Sequence, residues 1–212
     1  MPHDDHQYPA PGFIAILWWL AILGAVGLIG GNIAGSIIVP GHDFMADTVS
    51  DLAAGRYEII QDISLYGFAV SLFALALAAA YIHDGSGRWS ILVFSLALLA
   101  ALVIIIGARN EYGDNDSDGV VIHIYLVYAL GALFAVAFGI SALEGNRVAP
   151  WFGTLSLFSL IIWAVGAPVF FIMPTAYDGV WERGLGVITI IWTIAFALGL
   201  RRYSRVRRAD TR

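Results

Sequence analysis

The side chains able to do chemistry are few and concentrate in three stretches, residues 40–62, 109–123 and 174–183. The first reads PGHDFMADTVSDLAAGRYEIIQD. In it Thr48 and Asp51 have the spacing of a capping box, where a hydroxyl and the acid three residues on satisfy each other's backbone N–H groups. A short helix is expected there, with Gly55 placed to end it. His42, Asp43, Ser50 and Asp51 are expected to converge around it. Imidazole, hydroxyl and carboxylate together are the groups of general-base and nucleophilic catalysis. His42, Ser50, Asp51 and His123 are therefore the catalytic candidates.

The second stretch, ARNEYGDNDSDG, places Asp114, Asp116 and Asp118 at alternate positions before Gly119. That matches the first half of a calcium loop, in which alternate oxygens point inward and Gly permits the turn. The twelfth position of an EF-hand, a bidentate Glu, is here Tyr125, so the segment is no EF-hand. Asp114, Asp116 and Asp118 remain the metal candidates, and a divalent cation, calcium or zinc, is the one cofactor the sequence leaves open. His123 follows, about one turn inside an apolar segment, where an ionisable group faces the bundle interior or a wet cavity. The third stretch, PTAYDGVWERG, opens another apolar segment with Glu182 and Arg183. The helix N-terminal partial charge favours Glu182. Arg183 is expected to pair with a carboxylate such as Asp51 or Asp62, or to bind an anionic headgroup. With Asn32, these form the ligand-binding set Asn32, Asp51, Asp62, His123, Glu182 and Arg183.

The elements that must position these groups follow from composition. Hydrophobic residues make up 59%, charged residues 13%, and the mean hydropathy is +0.80. A soluble fold needs a larger polar shell. About 20 apolar residues cross the hydrocarbon core as a helix. Six segments qualify: 13–39, 63–82, 89–108, 119–143, 151–173 and 179–200. Lipid offers backbone groups no partner, so these spans are helical. The fold class is all-α, a polytopic six-span membrane bundle forming a single domain, with 201–212 as a basic cytoplasmic tail. Phe13–Val39 is too long for a signal-peptide core and reads as a retained span.

Arginine placement sets the orientation. With both termini inside, eight of the 11 arginines lie inside and three outside, as the positive-inside rule requires. Eleven of the 16 acids then face outward. The localisation expected is the cell membrane, multi-pass, termini cytoplasmic, with the elaborated face outside. The tail RRYSRVRR suits anionic lipid headgroups and reads as a topology anchor. No Lys and no Cys occur; the Lys-free, Asp-rich balance is also that expected of a high-GC or salt-adapted organism.

Gly27, Gly31 and Gly35, with Gly24 and Gly30, line the first span as a small-residue stripe for close helix approach. Asn32 and Ser36 are expected to hydrogen-bond a neighbouring helix. Trp18, Trp19, Trp89, Trp151 and Trp181 read as interfacial belt residues. No phosphate-binding loop, nucleophile elbow or H-E-x-x-H zinc motif is present, and nothing supports nucleic-acid binding.

This arrangement resembles the domain of unknown function 998 family of prokaryotic six-span membrane proteins. The resemblance covers nearly the whole chain. It rests on Ser50-Asp51-Leu52-Ala53 after the first span, the polar turn leading to His123, and Glu182-Arg183 opening the sixth. Asp51 stands where Glu is commoner. The resemblance implies fold and location and supplies no activity. More distantly the chain is similar to the alkaline ceramidase and adiponectin-receptor type of membrane hydrolase, which implies a Ser, an Asp and three zinc-bound His. Only His42 and His123 lie on the elaborated face, so a carboxylate would complete such a site.

Three functions are weighed. An outer cavity binding a lipid headgroup, small solute or cation ranks first. A metal-assisted lipid hydrolase using His42, His123 and Asp51 or Asp62 ranks second, and a small-solute transporter third. Whether the protein is an enzyme stays open at this level. The lipid bilayer is the one partner indicated, and no protein partner is.

Overall fold

A computed structural model describes residues 11–108 and 122–209. Helices α1 (Pro11–Ile38), α3 (Ile59–Tyr81), α4 (Gly87–Ala108), α5 (Ile122–Glu144), α6 (Phe152–Phe170) and α7 (Asp178–Ala209) are long, and α2 (Val49–Leu52) is short. The described residues contain no strand, and six helices are long and apolar enough to cross a membrane. Each long helix packs against the next in sequence, and α7 closes the ring on α1 while also touching α3. This is the arrangement short connections impose on successive antiparallel helices.

The helix bounds depart from the expected spans in ways that matter. Helix α3 begins at Ile59, so Gln61 and Asp62 lie within its first turns rather than in the preceding loop. Helix α6 ends at Phe170, just after Pro168, whose missing N–H weakens the last turn. Helix α7 runs through the basic segment to Ala209, since Arg-rich sequence without Gly or Pro gives a helix no reason to stop.

Small residues set the helix contacts. A Cβ at Gly24 would meet the Gly67 carbonyl, and one at Gly31 would strike Ser64 and stand 3.2 Å from the Ile60 oxygen. Gly27 and Gly30 face open space. Against α3 the close approaches thus stand seven residues apart, two full turns, while a Cβ at Gly35, four residues past Gly31, would stand 3.3 Å from Leu52 on α2 and one at Gly27 would meet nothing. Ser36 bonds its own helix, donating to the Asn32 carbonyl at 2.9 Å.

Indole N–H groups pin neighbouring helices: Trp89 to Ala79 O, Trp163 to Gly131 O, Trp181 to Gly166 O and Trp192 to Ser156 Oγ. Trp89 is fully buried, so it is a core residue and no belt residue, whereas Trp19 and Trp151 stay exposed. Phe134, Phe138, Phe152, Trp163, Trp192 and Phe196 stack into an aromatic cluster among α5, α6 and α7. The outward faces are apolar, with Ile16, Leu23, Phe94, Phe158, Ile161 and Val165 all exposed. Lipid is the solvent such faces require.

Candidate functional site

The segment after α1 folds over the N-terminus of α7 and is locked there by backbone groups. Thr48 caps α2 in the expected capping box: Asp51 N–H donates to Thr48 Oγ1 at 3.1 Å, and Asp51 Oδ2 accepts from Thr48 N–H at 2.6 Å. Asp43 organises the preceding turn, its carboxylate accepting from the Met45 and Ala46 N–H groups. The first N–H groups of α7 lack intrahelical acceptors, as at any helix start. Gly179 and Val180 donate theirs to the Ala46 and Met45 carbonyls, at 3.2 and 3.1 Å. Glu182 answers from the other side, accepting the Val49 N–H at 2.6 Å. Gly179 is required by this approach, because a Cβ there would overlap the Asp47 carbonyl.

Arg183 sits at the centre, 9% exposed. Nε donates to Asn32 Oδ1 at 2.9 Å, Nη1 to the Phe44 and Asp47 carbonyls at 3.0 and 2.7 Å, and Nη2 to His42 Nε2 at 2.9 Å. The Phe44 ring covers the guanidinium at 4.4 Å. The expected carboxylate partner, Asp51 or Asp62, is therefore not what Arg183 bonds. Carbonyls, a carboxamide and an imidazole take its place, because the loop presents its backbone to α7 before any acid can reach. Burial first, and the Arg183 charge second, push His42 below its ordinary value near 6.5, against the opposing pull of Asp47, Asp51 and Asp43. His42 Nδ1 lies 3.4 Å from Asp47 Oδ2.

Ser50 turns the other way. Its Oγ is 3.2 Å from His123 Nε2 on α5. The convergence expected of His42, Asp43, Ser50 and Asp51 thus splits in two: His42 joins Asn32 and Arg183, and Ser50 joins His123. Asp114, Asp116 and Asp118 lie outside the described residues. Among the described residues no three His, Asp or Glu side chains group closely enough to hold a metal ion.

Gln61 reads in the sequence as a loop residue and lies inside α3. Its side chain is fully buried, and neither carboxamide atom has a partner. Asn32 Nδ2, Asp62 Oδ1 and Asp178 Oδ1 share that condition. Gly31 meets α3 at Ile60 and Ser64, so Asn32 and Gln61 flank one contact level between α1 and α3. The missed signal was a Gln-Asp pair that four more helical residues, Ile59 to Asp62, carry into the span.

Residues 13–199, which include every element of this site, match the family described as protein of unknown function (DUF998). No curated protein and no solved structure matches the chain.

Proposed function

The chain belongs to the DUF998 family, and from that premise we propose that this multi-pass membrane protein holds a polar ligand at its His42 end: a lipid headgroup, a small solute or a cation. The observation that carries the reading is the set of buried polar atoms left without partners, Asn32 Nδ2 and both atoms of the Gln61 carboxamide. Each such group costs about 1–3 kcal/mol, and surrounding lipid gives no relief. A guest with both donor and acceptor atoms offsets that cost. Asp51, Asp62, His123, Glu182 and Arg183 complete the set that frames it. The membrane is the cell membrane and the termini cytoplasmic, on the strength of the arginine distribution.

The test is thermal stability of the purified protein in neutral detergent against a panel of glycerol 3-phosphate, phosphocholine, polyols, calcium and zinc. One class should raise the midpoint in the wild-type protein and raise it less in Asn32→Ala and Gln61→Ala. A panel without effect, or variants responding as wild type does, overturns the reading.

One contact favours a second reading, acyl-ester hydrolysis. Ser50 Oγ and His123 Nε2 are within the reach of a nucleophile and its base. The metal-assisted form is less well supported. A zinc ion would need imidazole lone pairs, and His42 Nε2 already faces Arg183, which can only donate. A fluorophosphonate adduct on Ser50 that disappears in His123→Ala would support hydrolysis; an unlabelled Ser50 overturns it. Transport ranks behind both, since aromatic rings pack the space among α5, α6 and α7.

A further inference from the structure

The segment that covers Arg183 does so with backbone oxygens. Four consecutive carbonyls face the start of α7: those of Phe44 and Asp47 accept from the guanidinium, and those of Met45 and Ala46 accept from the Val180 and Gly179 N–H groups. Of the four hydrogen bonds Arg183 donates, three go to this segment and one to Asn32 on α1. Among the described residues no carboxylate pairs directly with this buried cation. Neutral acceptors compensate a buried charge poorly, and an ionised oxygen makes the stronger bond. The other atom of the Asn32 carboxamide, Nδ2, is a buried donor without a partner. The segment itself is held mainly by polar contacts. No residue from 41 to 51 joins the apolar core, which resumes at Leu52 and Ala53. Such segments open locally at low cost, and Gly41, at φ +77, gives the near end a backbone conformation that glycine adopts freely.

We propose that residues 42–48 are a flap standing in for an anionic ligand, and that a phosphate or carboxylate group displaces them to bind Arg183, Asn32 and the first N–H groups of α7. The four carbonyls sit where the oxygens of such a group would accept, and uncovered helix N-terminal N–H groups suit an anion. Binding makes its own room, because the guest takes the volume that the flap leaves. The proposal rests on the reading of a polar ligand at the His42 end and narrows that ligand to an oxyanion. Phe44 and Met45 in the flap, and Ile37 and Ile38 just before it, are exposed and apolar. That rim suits an oxyanion carried by a lipid over one free in solution.

The full chain in neutral detergent is titrated with phosphatidylglycerol in mixed micelles and, separately, with glycerol 3-phosphate. The chain has no Cys, so Met45→Cys with Tyr177→Cys carries a spin-label pair at two exposed positions, and the distance between the labels reports the flap. At least one probe should raise the thermal midpoint and lengthen that distance; glycerol and calcium should do neither. Phosphatidylglycerol acting alone assigns a lipid headgroup, and glycerol 3-phosphate acting as well assigns a free solute; either supports the site. Phe44→Ala removes the ring over the guanidinium and keeps every backbone bond of the flap. Because it loosens the competing flap, it should tighten oxyanion binding severalfold. Arg183→Lys keeps the charge, loses the fork and should weaken binding about tenfold. Arg56→Gln, at an exposed arginine, should leave it unchanged. Binding without a change in distance overturns the proposal, as does unchanged or weaker binding in Phe44→Ala, or a loss in Arg56→Gln equal to that in Arg183→Lys. Should Arg183→Lys fail to fold, Phe44→Ala decides alone. If glycerol or calcium stabilises the protein and neither oxyanion does, the polar-ligand reading survives and the flap proposal falls; if no compound acts, both fall.

Discussion

Arg183 Nη2 donates to His42 Nε2 across 2.9 Å, and that single contact assigns the tautomer of the histidine. Arginine carries no acceptor, so Nε2 must hold its lone pair toward the guanidinium. The one ring proton then sits on Nδ1, facing Asp47 Oδ2 at 3.4 Å. His42 is thereby a neutral latch between a buried cation and the loop that covers it.

The latch should open in acid. The neutral ring is the native form, and the folded value of His42 lies below its ordinary 6.5. A released segment binds a proton near that ordinary value, whereas the docked one resists it. The stabilisation is thus complete above about 6.5 and is lost as pH falls from there through the depressed folded value, by up to about tenfold per pH unit. The protection of residues 42–48 against hydrogen exchange, taken relative to the slower intrinsic exchange in acid, should fall over that window. His42→Gln, which keeps an acceptor and cannot titrate, should flatten the profile; an unchanged profile in His42→Gln would show that another group opens the loop.

Gly179→Ala should destabilise the protein by about 1–3 kcal/mol, the usual cost of overpacking. The added Cβ meets the Asp47 carbonyl of the docked segment and stands 2.7 Å from Nη1 of Arg183, the α7 side chain that holds the segment. Proteolysis within residues 43–58 should rise together with the fall in the thermal midpoint. Wild-type resistance in the variant would mean that the segment is not held this way.

The glycines of α1 should differ sharply among themselves. Gly24→Ala drives a methyl group into the Gly67 backbone, and Gly31→Ala drives one into Ser64, so each should lower stability in detergent by about 1–3 kcal/mol. Gly27→Ala and Gly30→Ala meet nothing within 4 Å and should be neutral or slightly stabilising. Equal effects at all four positions would contradict the α1–α3 register.

Gln61→Leu should separate stability from binding. Replacing an unpartnered buried carboxamide with an apolar group of similar volume should leave the ligand-free protein as stable or about 1–3 kcal/mol more stable. The same change should remove the midpoint shift given by whichever compound stabilises wild type. A stability loss with binding intact would mark Gln61 as a packing residue.

Much of the site could be read before folding. The capping box of Thr48 and Asp51, the approach of Gly31 to a neighbouring helix, and the choice of Asn32, His42, Ser50, His123 and Arg183 all came from residue type and local spacing. What escaped was partnership. Charge alone matches Arg183 to acids, yet the atoms it bonds are the Phe44 and Asp47 carbonyls, Asn32 and His42. By sequence Gln61 falls in a loop and Trp89 at the interface, and both are buried in helices.

The chain's own residues determined that it is six apolar helices, because lipid leaves backbone polar groups only intrahelical partners and apolar run length then counts the spans. Tertiary structure alone decided which face of each helix meets which neighbour. Soluble helices announce that face by an apolar stripe; here the outward faces of α1, α4 and α6 are as apolar as the packed ones. Rotation and register are therefore set by close approach at Gly24, Gly31 and Gly179, and by contacts spanning great sequence distance, such as Arg183 with Asn32 and Ser50 with His123.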